Sequence, residues 1–284
     1  MWTVFPESPE SNALAAIAKR AVGPPIDPTL RVTINFHPDR RSGSLGLLQV
    51  LKNDGVLRSQ FETQTSNGGL TAFVGGDRWR WESRMFSGAY DLELPTRRPK
   101  YGALNYRRRR AGASPRFGSS HFRLAAHVLR RTTFCYPDSV FEPDHFGNAS
   151  HMGLIQVCES DDGDDLDRYI EAQVHGPLHL STDVEALVLD PSYKGTCVEA
   201  DAQKLPICVE WHSGFRVAID ILRQFPDYRG ARYVELAASL AVDGWLTPKV
   251  IGDAAVSGRY SNDDVKRVWH YLARFGNAEE TADE

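Results

Sequence analysis

The sequence predicts an α+β fold, a strand-dominated body followed by a small all-helical module, and three observations predict it. From residue 31 to 211 the chain is dominated by short β-branched and aromatic runs between Gly-, Pro- and Ser-rich joints, the composition of strands and turns. After His212 the pattern changes: AIDILRQF, YVELAASLAVDGWL and DDVKRVWHYLARFG place apolar residues three and four apart, the spacing of a helix face. The 284 residues, 42% hydrophobic and 25% charged, have the composition of a soluble globular protein and are enough for one large domain or two ordinary ones. Three parts are expected: an N-terminal helical extension over 1–30, the body over 31–211 and the helical module over 212–284.

In chain order, Asn12 to Val22 form a short helix candidate closed by the breaker GPPIDP, which ends helical spacing. Strands are expected at 31–36, 70–74, 101–106, 117–125, 153–158, 168–175 and 185–190. Between the first two, SLGLLQVLKNDG sets Leu45, Leu48 and Leu51 at helical spacing, with Gly55 as the stop. The acidic cluster DDGDDLD (161–167) reads as a solvated loop. Ser261 before Asp263 and Asp264 reads as an N-cap with acidic residues in the first turn. The closing NAEETADE is a polar tail expected to fray.

The formal net charge of -4 argues against a general nucleic-acid binder, which needs a basic excess to neutralise phosphates. Cys135, Cys158, Cys197 and Cys208 are far apart without a C-x-x-C and read as reduced, mostly buried thiols. No stretch approaches a transmembrane helix in length, so no membrane association is expected. The start MWTVFPESPESNALAAIAKR lacks a basic segment followed by an apolar run, so no Sec-type signal peptide is read. The expectation is a cytoplasmic protein or one exported by another route.

Four segments could carry chemistry. The run RVTINFHPDRR ends a strand on His37, Pro38, Asp39 and Arg40; Pro38 halts the ladder, and a strand end is where a scaffold presents side chains to solvent. FETQTSNGG (61–69), with Thr65, Ser66 and Asn67, is rich in hydroxyls and amides and closes on two glycines, which lets backbone approach a ligand. RPKYGALNY sets Tyr101 and Asn105 on a strand containing Gly102, and a strand glycine often marks close approach. In RYIEAQVHGPLHL, Glu171, Gln173 and His175 alternate with apolar residues and share one strand face; a solvent-facing sheet would read alike. His175 and His179 flank Pro177 without helix or cysteine partners, so no metal site is expected. The arginine run RRRRAG (107–112) reads as solvated, with phosphate or acidic-protein contact as a minority reading.

Taken in order, NFHPDR, LLQVLKNDGVLRS, KYGALN and YIEAQVHGPLHL resemble the catalytic domain of ADP-ribosyltransferases. In that fold a strand ends on His or Arg, a middle strand carries Tyr or Ser, and a late strand carries the decisive Glu. The set NFHPDR, QFETQTSNGG, RPKYGALN, PRFGSSHF and EAQVHGPLHL is similar, more narrowly, to bacterial CteC-type effectors, which transfer ADP-ribose from NAD to a threonine of ubiquitin. The resemblance spans about residues 31 to 270.

The resemblance implies a split β-sheet core, NAD as co-substrate without a metal, ubiquitin as protein partner and action as a secreted effector in a host cytosol. It also implies a catalytic Asp and Glu. The Asp is placed at Asp39, with Asp138 and Asp183 as alternatives, and the Glu at Glu171, with Glu185 as alternative. His37, Arg40, Thr65, Ser66, Asn67 and Tyr101 are implied as NAD contacts, Tyr101 by stacking on the nicotinamide ring.

Overall fold

The computed structural model describes residues 8–64 and 70–277. Eight strands form one mixed sheet: β1 (Val32–Phe36), β2 (Lys100–Leu104), β3 (Ser120–Leu124), β4 (Thr132–Tyr136), β5 (His145–Asn148), β6 (Glu171–Val174), β7 (Val184–Leu189) and β8 (Cys208–Trp211). Their spatial order is β8-β7-β3-β1-β2-β6-β4-β5. Every neighbouring pair is antiparallel except β7 and β8, which run parallel. Among the described residues, six helices of two turns or more accompany it: α1 (Pro9–Ala18), α2 (Leu47–Asp54), α3 (Asp77–Met85), α4 (Ala231–Leu240), α5 (Pro248–Val256) and α6 (Asn262–Phe275).

The sheet has one apolar and one polar face. Val32, Leu104, Phe122, Phe134, Ala172 and Leu187 turn into the principal core, where α2 adds Leu48 and Leu51. In the cross-strand register Tyr101 lies opposite Gln173 and Gln173 opposite Thr133, while Ala103 lies opposite Glu171 and Asn35 opposite His121; facing residues share a side of the pleat. That polar side is buried: Thr33, Asn35, His121, Thr133, Glu171 and Gln173 are all 7% exposed or less. The alternation in YIEAQVH therefore marks an interior face. Ala13 and Ile17 of α1 with Trp81 and Met85 of α3 cover one part of it, around Cys135 and Phe146. The C-terminal helices, with their own core around Val217, Leu246, Val268 and Leu272, meet another: Trp269 donates to the carbonyls of Pro115 at 2.9 Å and Arg116 at 3.1 Å.

The structure corrects several expectations. Residues 153–158 are helical, Leu154–Glu159, because Leu154 and Cys158, four apart, are the pair that must be buried. Residues 70–74 form no strand: Phe73 and Val74 face solvent, and the Thr71 hydroxyl accepts the Asp77 N–H at 2.8 Å, capping the start of α3. The strands β4, β5 and β8 and the helix α3 were not anticipated. Two of the four thiols, Cys197 and Cys208, are exposed. Nor is the acidic cluster a free loop. Asp165 pairs with Arg107, Arg109 and Arg168, which accounts for much of the arginine run, and Arg108 pairs with Asp27. The expected stop at Gly55 is a left-handed C-cap, φ 66°, and the Ser261 hydroxyl accepts the Asp264 N–H at 3.1 Å. Asn277 bridges Phe215, and the polar tail beyond it lies outside the described residues. Among the described residues no helix is long and apolar enough to cross a membrane.

Candidate functional site

The ladder between β1 and β2 is short. It registers only Val32 with Leu104 and Thr33 with Ala103, whereas β2 and β6 register over Lys100–Ala103. Beyond Thr33 the two strands part, and Asn35 of β1 and Tyr101 of β2 line a cavity of about 220 Å³. Gly102 stands where they separate: a Cβ there would come to 2.6 Å from the Thr33 carbonyl oxygen, closer than packed atoms tolerate, so bare backbone permits the approach.

The adjoining strand, β6, brings Glu171 into this cleft. Its carboxylate accepts the Ser139 hydroxyl at 2.9 Å and the Ser139 N–H at 3.3 Å on Oε2, and the Gln173 amide at 3.0 Å on Oε1. The Cys135 thiol adds a long bond to Oε1 at 3.9 Å, and since a carboxylate offers about four acceptor sites, a ligand hydroxyl would take the place of that weak fourth donor. Arg78, reaching in from α3, stands 3.8 Å from Glu171 Oε1, donates to Ser139 Oγ at 2.6 Å and lies 4.0 Å over the Tyr101 ring. Burial pushes the Glu171 carboxyl up; Arg78 opposes that, and the neighbouring Asp138 adds to it. Asp138 also lines the cleft and accepts the Tyr169 hydroxyl.

Behind Glu171 a hydrogen-bond chain fixes its orientation. Thr133 has one hydroxyl proton, given to Gln173 Oε1 at 3.0 Å. His175 Nε2, 3.0 Å from the same hydroxyl, must then be the protonated nitrogen, and the Tyr90 hydroxyl donates to Nδ1 at 2.7 Å. Burial holds the His175 ring neutral, its pKa lowered to about 3. With its oxygen held by Thr133, the Gln173 amide can only present N–H to Glu171.

A family model described as a protein of unknown function, DUF3626, matches residues 31–157 and 148–275. The chain belongs to the DUF3626 family. No curated protein matches it. The matched span of this DUF3626 protein includes every residue that lines the cleft.

Of the residues read from the sequence, Glu171 and Tyr101 meet at the cleft. The Tyr101 ring lies under Arg78 and its hydroxyl donates to Glu82 at 2.7 Å, so what it offers a ligand is ring edge more than a free phenol. Asp39 is not brought to Glu171. It accepts the Tyr193 hydroxyl at 3.0 Å and is pressed against Gly252 of α5, where a Cβ would lie 1.3 Å from its Oδ2; burial raises its pKa to about 6. His37 packs edge-on against Trp269, ring centroids 4.9 Å apart. Arg40 is half-buried beside Asp39 and does not line the cavity. Thr65, Ser66 and Asn67 lie outside the described residues. Glu185 is committed to Arg31 and Arg123, and Asp183 to Arg131 and His127. Asp138, weighed in the sequence as an alternative, is the carboxylate that stands beside Glu171. Arg78 and Ser139 carried no sequence signal: both act through side chains from distant segments.

Proposed function

We propose that the cleft of this DUF3626 protein binds the nicotinamide–ribose end of NAD and that the protein transfers ADP-ribose to a protein hydroxyl, with a threonine of ubiquitin as the first acceptor to test. One observation carries the reading: a buried carboxylate, Glu171, held by four donors at the place where two strands separate around a small cavity. Breaking the nicotinamide–ribose bond develops positive charge on the sugar, and a fixed carboxylate in a water-poor site stabilises that charge strongly. The cavity, about 220 Å³, is below the ~300–1,000 Å³ that encloses a whole drug-sized ligand, so it suits one end of a dinucleotide. Tyr101 would flank the pyridine ring, and a ribose hydroxyl would displace the weak Cys135 thiol bond on Glu171.

A threonine hydroxyl needs its proton accepted as it attacks. In this reading Asp138 takes that part in place of Asp39, since it shares the cleft with Glu171. The test is nicotinamide release from NAD, with and without ubiquitin, followed by intact-mass measurement of ubiquitin. Glu171→Gln keeps shape and loses charge; release is expected to fall by about a hundredfold or more while NAD binding persists. Unchanged release in that variant would end the assignment. Release without any acceptor gaining mass would make the protein an NAD glycohydrolase.

A further inference from the structure

The hydrogen-bond chain behind Glu171 has a direction, and its far end is Tyr90. Every donor in it aims toward the carboxylate: Tyr90 Oη to His175 Nδ1 at 2.7 Å, His175 Nε2 to Thr133 Oγ at 3.0 Å, Thr133 to Gln173 Oε1 at 3.0 Å, and Gln173 Nε2 to Glu171 Oε1 at 3.0 Å. Tyr90, Thr133, Gln173 and His175 are all fully buried, so a broken link leaves a buried polar group unpaired. Tyr90 is itself clamped. Its ring stacks on the His175 ring, centroids 5.9 Å apart with 2° between the planes, and Phe86 packs edge-on against both. Its carbonyl accepts Arg98 at 2.8 Å; Arg98 also donates to Glu82 at 2.7 Å, and Glu82 holds the Tyr101 hydroxyl. One buried residue thus ties the strand that carries Glu171 to the side chain that orients Tyr101 at the cleft.

The same links can run the other way. A protonated Glu171 would donate to Gln173 Oε1, the turned amide to Thr133, Thr133 to His175 Nε2, and His175 Nδ1–H to the Tyr90 oxygen. Every link survives except at the end, where the Tyr90 proton has no acceptor: its hydroxyl bonds only to His175 among the described residues. The reversed order therefore leaves a buried donor unpaired, and the order that serves a carboxylate does not. The charged groups around the chain, Arg78 and Asp138 at Glu171 and Glu10, Arg131 and Lys100 at His175, are the same in both orders.

We propose that Tyr90 is a positioning residue for Glu171: its hydroxyl sets the direction of the chain and so favours the ionised carboxylate, and the His175 tautomer reports which direction is occupied. On reversal the net uptake is one proton, at Glu171; the imidazole loses its Nε2 proton to water and takes one on Nδ1, keeping its charge. The consequence for catalysis rests on reading the cleft as an NAD site; the direction of the chain does not.

Two titrations of the ligand-free protein test it, the Glu171 carboxyl followed by carbon NMR and the His175 ring by nitrogen NMR. Acidification through the Glu171 midpoint is expected to move the ring proton from Nε2 to Nδ1 while the ring stays neutral. Tyr90→Phe keeps the ring and removes the hydroxyl; the Glu171 midpoint should rise by about one pH unit, the effect of one unpaired buried donor. Thr133→Val cuts the chain between His175 and Gln173 and should raise the midpoint comparably. The double variant should add little, because both residues act along one chain. Nicotinamide release by Tyr90→Phe should follow the displaced midpoint, with kcat reduced below it, recovered above it, and KM unchanged. A ring proton that stays on Nε2 through the Glu171 titration, an unmoved midpoint in either single variant, or additive shifts in the double variant would overturn the proposal. Wild-type protein that shows the tautomer change but releases no nicotinamide from NAD would overturn the catalytic reading and leave the role of Tyr90 standing.

Discussion

Glu171 has to be ionised to hold a sugar cation, yet burial and the neighbouring Asp138 both favour its protonated form, with Arg78 as the main opposing influence. Nicotinamide release is therefore expected to rise with pH along a limb whose midpoint lies above the ordinary glutamate range, then level off. Asp138→Asn removes one of the charges that raise Glu171 and should move that midpoint to lower pH; a midpoint that stays put would show that Asp138 has no electrostatic hold on Glu171. Transfer to an acceptor should fall in the same variant while bare release survives, because only transfer needs a base. Asp39 supplies the contrast. Its pKa is raised to about 6 by burial against α5, so the folded state binds the proton more tightly than the unfolded chain. The associated stability is present below about pH 4 and lost as pH rises through 6. Asp39→Asn should flatten this dependence in urea unfolding between pH 4 and 8, and leave nicotinamide release intact. Loss of release there would return Asp39 to the chemistry.

Among the elements, the decisive join is between β1 and β2, because the brevity of their ladder is what opens the cleft. Gly102→Ala puts a Cβ 2.6 Å from the Thr33 carbonyl, and a shift of either strand is needed to relieve it. We expect a loss of about 2 kcal/mol in denaturant unfolding, together with weaker ligand binding in the cleft. Full stability would mean that the strands are free to separate further. These strands were legible from the chain because β-branched and aromatic residues sit between strong breakers, as at VTINF before His37-Pro38. GLIQVC was not, since a short apolar run reads alike for strand and buried helix, and only the burial of Leu154 and Cys158 decides between them. The site divides the same way. Glu171 stands out in an alternating run, whereas Arg78 enters from a helix whose Arg and Glu residues look solvent-facing in DRWRWESRM although Arg78 and Glu82 are buried. Local pattern reports which face is polar; it does not report that the polar face is interior.

On the scale of the whole molecule, the question is what fastens the C-terminal helices to the sheet. Two kinds of contact compete for the answer. One is the lattice of charges at residues 161–167, in which Asp164 meets Arg274 at 3.4 Å and Asp167 meets Arg116 and Arg229; these groups are partly exposed, and such pairs contribute about 0–1 kcal/mol each and weaken in salt. The other is Trp269, 1% exposed, packed on His37 and Phe215 and donating to two carbonyls of the loop before β3. Truncating a buried Trp costs about 3–5 kcal/mol, more than any single ion pair here. Trp269→Ala should therefore lower the melting temperature sharply, whereas about 1 M NaCl, which shortens the Debye length to roughly 3 Å, should lower it little. If salt destabilised the protein more than the loss of Trp269, the charged lattice would be the fastening, and the helices would be held to the sheet by electrostatics in place of packing.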